Sequence, residues 1–263
     1  MAQLQNQIAL VTGAGRGIGR AIALALAGEG AKVAITARTT AELDEVNGQI
    51  ANRQIEAGRC LCISADLADR GAPARIVAQV KNAFGPVDIL VNNAGIGSSA
   101  DPRPVVEFDD AFWDLSLAVN LTAPYLLCKA VLPDMLAKKH GRIITVASIA
   151  GKIGTLHGAA YSASKHGVLG LTRTLALEVA ASGITVNAIC PGPVHTRMND
   201  LRVEYDAQRR GVSFEEQERI QTPLGRRLEP EEIAPLAVYL ASDAARGVTG
   251  QAFNVCGGLL MTG

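Results

Sequence analysis

Three side chains between positions 143 and 167 could together carry out acid–base chemistry: Ser148, Tyr161 and Lys165. Tyr161 and Lys165 lie four residues apart in a segment of helical character, so they project from the same helix face. A free tyrosine has a pKa of about 10 and is a poor acid at neutral pH, but a neighbouring ammonium lowers that value. Ser148 would add a third polar group. The spacing predicts a proton-transfer site, but because such Tyr–Lys pairs are also common on solvated helices, the rest of the chain must decide.

The composition is that of a chain that can bury a large core. Of its 263 residues 48% are hydrophobic and 19% are charged, which argues against disorder. The 25 Lys and Arg residues balance 25 Asp and Glu residues, so we expect no nucleic-acid partner and no attraction to a membrane surface. The polar amino terminus has no signal-peptide core, and no apolar run approaches the roughly 20 residues that span a bilayer. We therefore expect a cytoplasmic protein. Its five cysteines are an odd number without a CxxC pair, and most of them lie in apolar runs, where buried thiols are expected: Cys60, Cys62, Cys128, Cys190 and Cys256.

A glycine-rich loop follows the first strand-like run, Ile8–Val11, and leads into an alanine-rich helical run from Arg20 to Ala27. Glycines in this context allow a tight turn, close approach of the backbone to a phosphate, and close packing of helix on sheet. The helix amino terminus offers free N–H groups and the positive end of the helix dipole. Strand, glycine loop and helix together predict a dinucleotide site, with the loop reading Thr12-Gly13-Ala14-Gly15-Arg16-Gly17-Ile18-Gly19.

The end of the second strand indicates which dinucleotide binds. An NAD site usually has an acidic residue here to bind the ribose 2′-hydroxyl, but the strand Lys32–Thr36 ends in Ala37-Arg38 and no acid follows until Glu42. Arg38 and Arg16 could flank a 2′-phosphate, which favours NADP(H). The alternative is that both arginines are solvated surface residues, in which case NAD(H) remains a candidate cofactor.

The remainder of the chain alternates between strands and helices without a linker or a repeat. This alternation predicts an α/β fold, a single doubly wound domain over residues 1–263 with helices on both faces of a parallel sheet. A polar turn, Asn92-Asn93-Ala94-Gly95, falls where the crevice of such a sheet opens, and Asn120 lies among apolar residues near a kink at Pro124. The expected helices are Thr40–Ala57, a helix capped by Asp69 and ending near Phe84, Asp109–Lys138, Ala159–Ala181 and one from Glu229 to Leu240. The further strands are Cys60–Ser64, Asp88–Val91, Ile143–Val146, Ile184–Cys190 and Gln251–Val255.

The charged segment at about 194–227 interrupts the alternation where a substrate lid would lie, and we expect two short helices around Gly211. Its first half carries four arginines. One interpretation is a solvated segment whose charges keep it soluble. The other is that the arginines bind an anionic handle on the substrate, such as the phosphopantetheine phosphate of an acyl thioester. The arginines are Arg197, Arg202, Arg209 and Arg210.

These residues together resemble the short-chain dehydrogenase/reductase family over essentially the whole chain. The motifs are Thr12-Gly13-x-x-x-Gly17-x-Gly19, Asn92-Asn93-Ala94-Gly95, Asn120, Ser148, Tyr161-x-x-x-Lys165 and Pro191-Gly192. Within the family the chain is most similar to β-ketoacyl and aromatic-polyketide ketoreductases, on the stretches YSASKHGVLGLT, GITVNAICPGPVHT and NVCGGL. The resemblance implies a Rossmann-type domain with seven parallel strands in the order 3-2-1-4-5-6-7, and a homotetramer.

The resemblance also implies a reaction, the reduction of a ketone to a secondary alcohol with NADPH. Ser148 and Tyr161 would bind the carbonyl oxygen, with Tyr161 as general acid. Lys165 would lower the phenol pKa and bind the nicotinamide ribose, and Asn120 would hold a water that links Lys165 to solvent. No metal is implied. The cofactor residues would be Gly13, Gly15, Arg16, Gly17, Ile18, Gly19, Ala37, Arg38, Asp66, Leu67, Asn93, Ala94, Gly95, Tyr161, Lys165, Pro191, Gly192, Val194 and Thr196, with Asp66 and Leu67 at the adenine and Thr196 at the carboxamide.

Two other functions remain open at this point. One is an NAD-dependent dehydrogenase that oxidises a small secondary alcohol, which a cofactor-preference assay would separate from the reductase. The other is a dinucleotide-binding regulator without turnover, a class expected to lack the tyrosine or the lysine of the catalytic set.

Overall fold

A seven-stranded parallel sheet forms the centre of the protein in the computed structural model, which describes residues 3–52 and 58–261. The strands lie in the order β3-β2-β1-β4-β5-β6-β7, so the predicted fold class and strand order are confirmed. Four strands, β1, β4, β5 and β6, are buried along their whole length, as expected for a parallel sheet covered on both faces. The strands are β1 Ile8–Thr12, β2 Lys32–Ala37, β3 Cys60–Ser64, β4 Ile89–Asn92, β5 Gly141–Val146, β6 Ile184–Pro191 and β7 Ala252–Val255.

Helices cover the two faces of the sheet in separate apolar layers. Successive residues of a strand point to opposite faces, so Ala9 and Val11 pack with α1, α2 and α9, whereas Ile8 and Leu10 pack with α3, α5 and α6. The helices are α1 Gly17–Gly28, α2 Thr40–Ala51, α3 Ala72–Ala83, α4 Asp110–Leu117, α5 Ala123–Lys138, α6 Ala159–Val179, α7 Arg197–Arg210, α8 Phe214–Ile220 and α9 Pro230–Ala241.

Two helices begin or end differently from the sequence-based expectation. The helix expected over Thr40–Ala57 ends at Ala51, and the last part of that range lies outside the described residues. Asp69 does not cap α3, whose N-cap is Gly71. Its carboxylate instead accepts a hydrogen bond from the Gly71 N–H at 2.8 Å, in a side-chain turn that precedes the helix.

The long helix expected from Asp109 to Lys138 is interrupted by a π-helical turn, Ala118–Thr122, between α4 and α5. The N–H of Ala123 donates to the carbonyl of Ala118, five residues earlier. Pro124 has no N–H and cannot donate to the carbonyl of Asn120, four residues before it, so the regular α-helical ladder cannot continue here. The expected kink is thus a π turn, and Asn120 lies in it.

The same stretch, Asp110–Lys138, is long and apolar enough to cross a bilayer by length and composition, with a mean hydropathy of 1.5 over its most apolar window. The expectation of no segment near that length therefore needs correction. Within the domain, 44% of this window is buried, and core helices of globular domains meet the same criterion.

The segment between β6 and α9 contains the two expected short helices, α7 and α8, separated by Gly211 with a φ of +68°. A buried arginine joins them. Arg227 donates to Asp200 of α7 and to Glu218 of α8, both at 2.6 Å, and only 4% of its side chain is exposed. Because a buried charge needs such partners, the two helices are fixed relative to one another.

The loops after β1 and β4 are joined by hydrogen bonds at the centre of the sheet edge. The Thr12 hydroxyl accepts from the N–H groups of Asn93 at 3.0 Å and Ala94 at 3.1 Å, and donates to the carbonyl of Val91 at 3.3 Å. The Asn93 amide donates to the carbonyls of Thr12 at 2.9 Å and Gly13 at 3.0 Å. One buried threonine therefore sets the distance between the two loops.

Replacing Thr12 by Val should destabilise the fold, because two backbone N–H groups lose their acceptor in an isosteric change. We expect the free energy of unfolding to fall by about 2–4 kcal/mol, measured by urea denaturation. Thr36 is the control, since it pairs with Thr12 across β1 and β2 and its buried hydroxyl has no hydrogen-bond partner among the described residues. Thr36→Val should be neutral or stabilising, and equal losses for the two variants would refute this assignment.

Candidate active site

A cavity of about 990 Å³ opens at the carboxyl ends of the strands, and most of the predicted site residues line it. Gly19 and Asn120 are the predicted site residues that do not line it. The predicted residues that line the cavity are Gly13, Gly15, Arg16, Gly17, Ile18, Ala37, Arg38, Asp66, Leu67, Asn93, Ala94, Gly95, Ser148, Tyr161, Lys165, Pro191, Gly192, Val194 and Thr196.

Two glycines of the loop, Gly13 and Gly19, lie too close to their neighbours to be replaced by a residue with a side chain. A Cβ on Gly13, whose φ is +62°, would lie 2.7 Å from Cα of Ala94. A Cβ on Gly19 would lie 2.3 Å from both the Asn93 amide nitrogen and the Gly13 carbonyl oxygen. Helix α1 begins at Gly17, on the cavity wall. The loop therefore presents bare backbone and a helix amino terminus to the cavity, an arrangement that fits a pyrophosphate.

Ser148, Tyr161 and Lys165 meet on one wall of the cavity. Ser148 follows β5, where its hydroxyl accepts from the N–H of Ala150 at 3.1 Å. Tyr161 lies in the first turn of α6, and the Lys165 ammonium lies 5.6 Å from the centre of its ring. That ammonium donates to the carbonyl of Val146 at 3.0 Å. The helix spacing and the strand end thus converge as the sequence predicts.

Burial is the largest cause of the pKa shifts of Tyr161 and Lys165. It raises the pKa of the Tyr161 phenol, while the Ser148 hydroxyl acts in the opposite direction. It lowers the pKa of Lys165 to about 8. The expectation of a lowered phenol pKa is therefore wrong for the protein alone. The Lys165 ammonium bonds the Val146 carbonyl. Loss of hydration is the largest cause of the raised phenol pKa, and Cys190 adds to it.

Asn120 connects the loop after β4 to helix α6. Its side-chain oxygen accepts from the Ile96 N–H at 2.8 Å, and its amide nitrogen donates to the Ile96 carbonyl at 2.9 Å and the Ser164 hydroxyl at 3.1 Å. The Ser164 hydroxyl in turn donates to the Tyr161 carbonyl at 2.8 Å. Both ends of the amide are thus used by protein groups, and its side chain holds Tyr161 in position from behind.

The far end of the cavity carries arginines but also the carboxylates of Glu42 and Asp66. Arg16 and Arg38 are both exposed and line it, as the sequence analysis predicts. Glu42 also lines it and pairs with Arg16 at 3.1 Å. Arg38 has no ion-pair partner within the described part of the chain. Because Arg16 and Glu42 are 26 positions apart, no local sequence pattern could have revealed their contact.

The wall after β6 is shaped by close packing and by a helix cap. A Cβ on Gly192 would lie 2.8 Å from Cα of Cys256, so only glycine fits there. Thr196 is the N-cap of α7, and its hydroxyl accepts from the Asn199 N–H at 3.3 Å. Pro191, Gly192, Val194 and Thr196 therefore form a fixed border between the cavity and the following helices.

Apolar side chains from distant segments form the rest of the wall, and sequence reasoning missed them. They line the cavity, and each remains partly exposed in spite of its size. Helix α7 is joined to the loop before Tyr161 at this place, by a hydrogen bond between Tyr205 and His157 and by one from Arg202 to the Leu156 carbonyl at 3.0 Å. The apolar residues are Leu115, Ile153, Leu156, Met198, Leu201, Ile220 and Leu259.

Comparison with known proteins agrees with this geometry. The family model for short chain dehydrogenases matches residues 7–206. The chain belongs to the short-chain dehydrogenase family. It is therefore an oxidoreductase that interconverts alcohol and carbonyl groups, which confirms the prediction of an enzyme.

The relatives and solved structures that resemble the chain include ketoreductases and a dehydrogenase. A protein assigned as ketoacyl reductase 1 of the granaticin polyketide synthase from Streptomyces violaceoruber is 45% identical, over 96% of this chain and 92% of its own length. The D-beta-hydroxybutyrate dehydrogenase of Cupriavidus necator is 39% identical, over 97% and 98%. A crystal structure of a variant of actinorhodin polyketide ketoreductase with NADPH has a TM-score of 0.91 and 40% identity, over 98% and 99%.

Lys165 should give the protein a stability that depends on pH. Its pKa is about 8 in the folded protein and 10.5 in an unstructured chain, so between these values the unfolded state binds more protons and stability rises with pH. Between pH 7.5 and 9.5 we expect the free energy of unfolding of the wild type to gain about 2 kcal/mol relative to Lys165→Met.

The measurement is urea denaturation across this pH range. Lys129 is an exposed lysine of α5, and Lys129→Met should follow the wild type at every pH. A constant difference between the wild type and Lys165→Met would show that the lysine keeps an ordinary pKa.

Proposed function

We propose that the protein is an NADPH-dependent ketoreductase that reduces a ketone of β-ketoacyl or polyketide type to a secondary alcohol. The observation that carries the proposal is the convergence of Ser148, Tyr161 and Lys165 on a cavity whose far end carries Arg16 and Arg38. The similarity to polyketide ketoreductases, one of them solved with NADPH, supports it.

The cavity fits a dinucleotide at each of its parts. The glycine loop and the first turn of α1 would bind the pyrophosphate, Asp66 and Leu67 would border the adenine, and the two arginines would bind the 2′-phosphate. Lys165 would bond the nicotinamide ribose, and Thr196 the carboxamide. When bound, NADPH supplies the hydride that reduces the carbonyl carbon. The protein supplies the position of the ketone and the proton.

Tyr161 provides that proton. A pKa raised by burial keeps the phenol protonated at neutral pH, which is the form that a general acid needs. Ser148 would share the carbonyl oxygen with the phenol. The Lys165 ammonium, 5.6 Å from the ring centre, favours the phenolate left after proton transfer.

Asn120 contributes to proton resupply through its backbone. Its side chain is fully engaged by Ile96 and Ser164. Its carbonyl, in contrast, cannot receive a hydrogen bond from Pro124. This carbonyl is the group that would bind the water between Lys165 and solvent.

The substrate would lie against the apolar residues of the cavity wall, three of which (Met198, Leu201 and Ile220) belong to the lid, residues 194–227, within the single domain of residues 1–263. Of the four lid arginines, Arg202 is bound to Asp206 at 2.7 Å and Arg209 approaches the same carboxylate at 3.5 Å. Arg197 and Arg210 line the cavity and have no ion-pair partner among the described residues. The anionic-handle hypothesis therefore rests on Arg197 and Arg210, of which Arg210 lies at the end of α7.

Tyr161→Phe tests the general acid. The variant loses only a hydroxyl, so we expect NADPH affinity within a few-fold of wild type and a loss of most of kcat. Lys165→Ala is the comparison, and it should weaken both cofactor binding and rate. Titration with NADPH and steady-state reduction of a ketone measure the two effects. Turnover by Tyr161→Phe above about a tenth of wild type would remove Tyr161 from this role.

Arg210→Glu tests the anionic handle with two substrates that share one acyl group. KM for acetoacetyl-coenzyme A should rise several-fold, and more at low ionic strength, because the variant repels the phosphates. KM for the neutral acetoacetyl-N-acetylcysteamine thioester should change little. Arg219→Glu, an exposed arginine of α8 outside the cavity wall, is the charge-matched control. If both substrates respond equally to Arg210→Glu, the arginine serves the fold of the lid.

The second candidate function is an NAD-dependent dehydrogenase of a small secondary alcohol. The similarity to D-beta-hydroxybutyrate dehydrogenase favours it, as does the carboxylate of Glu42 near the proposed ribose site. Equal kcat/KM for NADH and NADPH would support this alternative over the reductase. In either case we propose a homotetramer, supported by exposed apolar residues on α6 and α9, Leu177 and Tyr239.

A further inference from the structure

We propose that Glu42 sets the cofactor preference of this enzyme, by competing with a 2′-phosphate for Arg16. The inference rests on the proposed use of NADP(H). The enzyme binds NADPH more weakly than Arg16 and Arg38 alone would allow, because Arg16 is paired with Glu42.

The position of Glu42 carries this inference. Glu42 lies in the first turn of α2, four residues after Arg38, and points back over the glycine loop. Its Oε1 is 3.1 Å from Nη1 of Arg16. A Cβ on Gly15 would lie only 2.7 Å from Oε2 of Glu42, so the carboxylate lies directly against the loop. Both Arg16 and Glu42 line the cavity, with 56% and 30% of their side chains exposed.

At this end of the cavity, the arginines and Glu42 have opposite effects on the binding of a phosphate. A phosphate monoester carries a charge between about −1.5 and −2, so it is attracted by the two arginines and repelled by Glu42. Arg38 has no ion-pair partner in the part of the chain that the structure describes. To bind the phosphate, Arg16 must break its ion pair with Glu42 or bind both groups at once. Arg16 therefore contributes less to the affinity for NADPH than an unpaired arginine would.

The same carboxylate has the opposite effect on NADH. An uncharged 2′-hydroxyl can donate a hydrogen bond to a carboxylate, which is the usual way in which an acidic residue favours NADH. Glu42 thus weakens the binding of NADPH and can strengthen the binding of NADH. Its removal should change the ratio of the two affinities, and not only their magnitude.

Helix α2 supplies a matched control one turn further along. Glu45 pairs with Arg20 at 3.7 Å and does not line the cavity. Glu42→Gln and Glu45→Gln remove the same charge from the same helix. Any effect of net charge alone should appear in both variants.

The experiment measures dissociation constants for NADPH and NADH by nucleotide fluorescence, and for 2′,5′-ADP by calorimetry, on the whole chain. We expect Glu42→Gln to bind NADPH and 2′,5′-ADP about three- to tenfold more tightly at low salt, with a smaller gain at high salt. NADH affinity should stay level or fall. Glu45→Gln should stay within about twofold of the wild type for all three ligands.

Two results would overturn the inference while leaving the proposed function intact. Equal shifts in both variants would reveal a general charge effect. Weaker NADPH binding by Glu42→Gln, and likewise by Glu42→Ala, would mean that the carboxylate orients Arg16 for the phosphate. A wild type that binds none of the three ligands would instead refute the proposed function, and the inference with it.

Discussion

The contact between the loop after β1 and the loop after β4 is the constraint on which the site depends. Gly13 approaches Ala94 so closely that a Cβ would lie 2.7 Å from its Cα, and Thr12 and Asn93 bond the two loops to one another. From the second loop the connection continues through Ile96, Asn120 and Ser164 to the Tyr161 carbonyl. Hydrogen bonds, together with the backbone from Ala94 to Ile96, thus link the proposed phosphate cradle to the backbone of the proposed general acid.

The two ends of the cavity use electrostatics in different ways. At the catalytic end, burial sets the pKa values, raising that of Tyr161 and lowering that of Lys165 to about 8. The pKa values of such a buried pair change strongly with hydration, for example when ligand binding excludes water. At the far end, Arg16, Arg38 and Glu42 are partly solvated. Each contact there contributes little, and we propose that the balance of charges decides which nucleotide is preferred.

The sequence was sufficient to predict the sheet and the convergence of Ser148, Tyr161 and Lys165. Continuous apolar runs bounded by turns identified the strands, and the four-residue spacing of Tyr161 and Lys165 placed them on one helix face. The π turn at Asn120 was only partly predictable, because Pro124 signals a break but does not specify its form. The direction of the Tyr161 pKa shift was missed, since burial depends on the whole fold. Contacts between distant segments, such as Arg16 with Glu42, leave no local pattern.

The most direct test of the account is a crystal structure of the protein with NADPH and a ketone that reacts slowly. The account predicts that the carbonyl oxygen lies within about 3 Å of both the Ser148 hydroxyl and the Tyr161 phenol. It also predicts that the 2′-phosphate lies against Arg16 and Arg38. A carbonyl oxygen bound away from Ser148 and Tyr161, with the nucleotide in the cavity, would contradict the central claim.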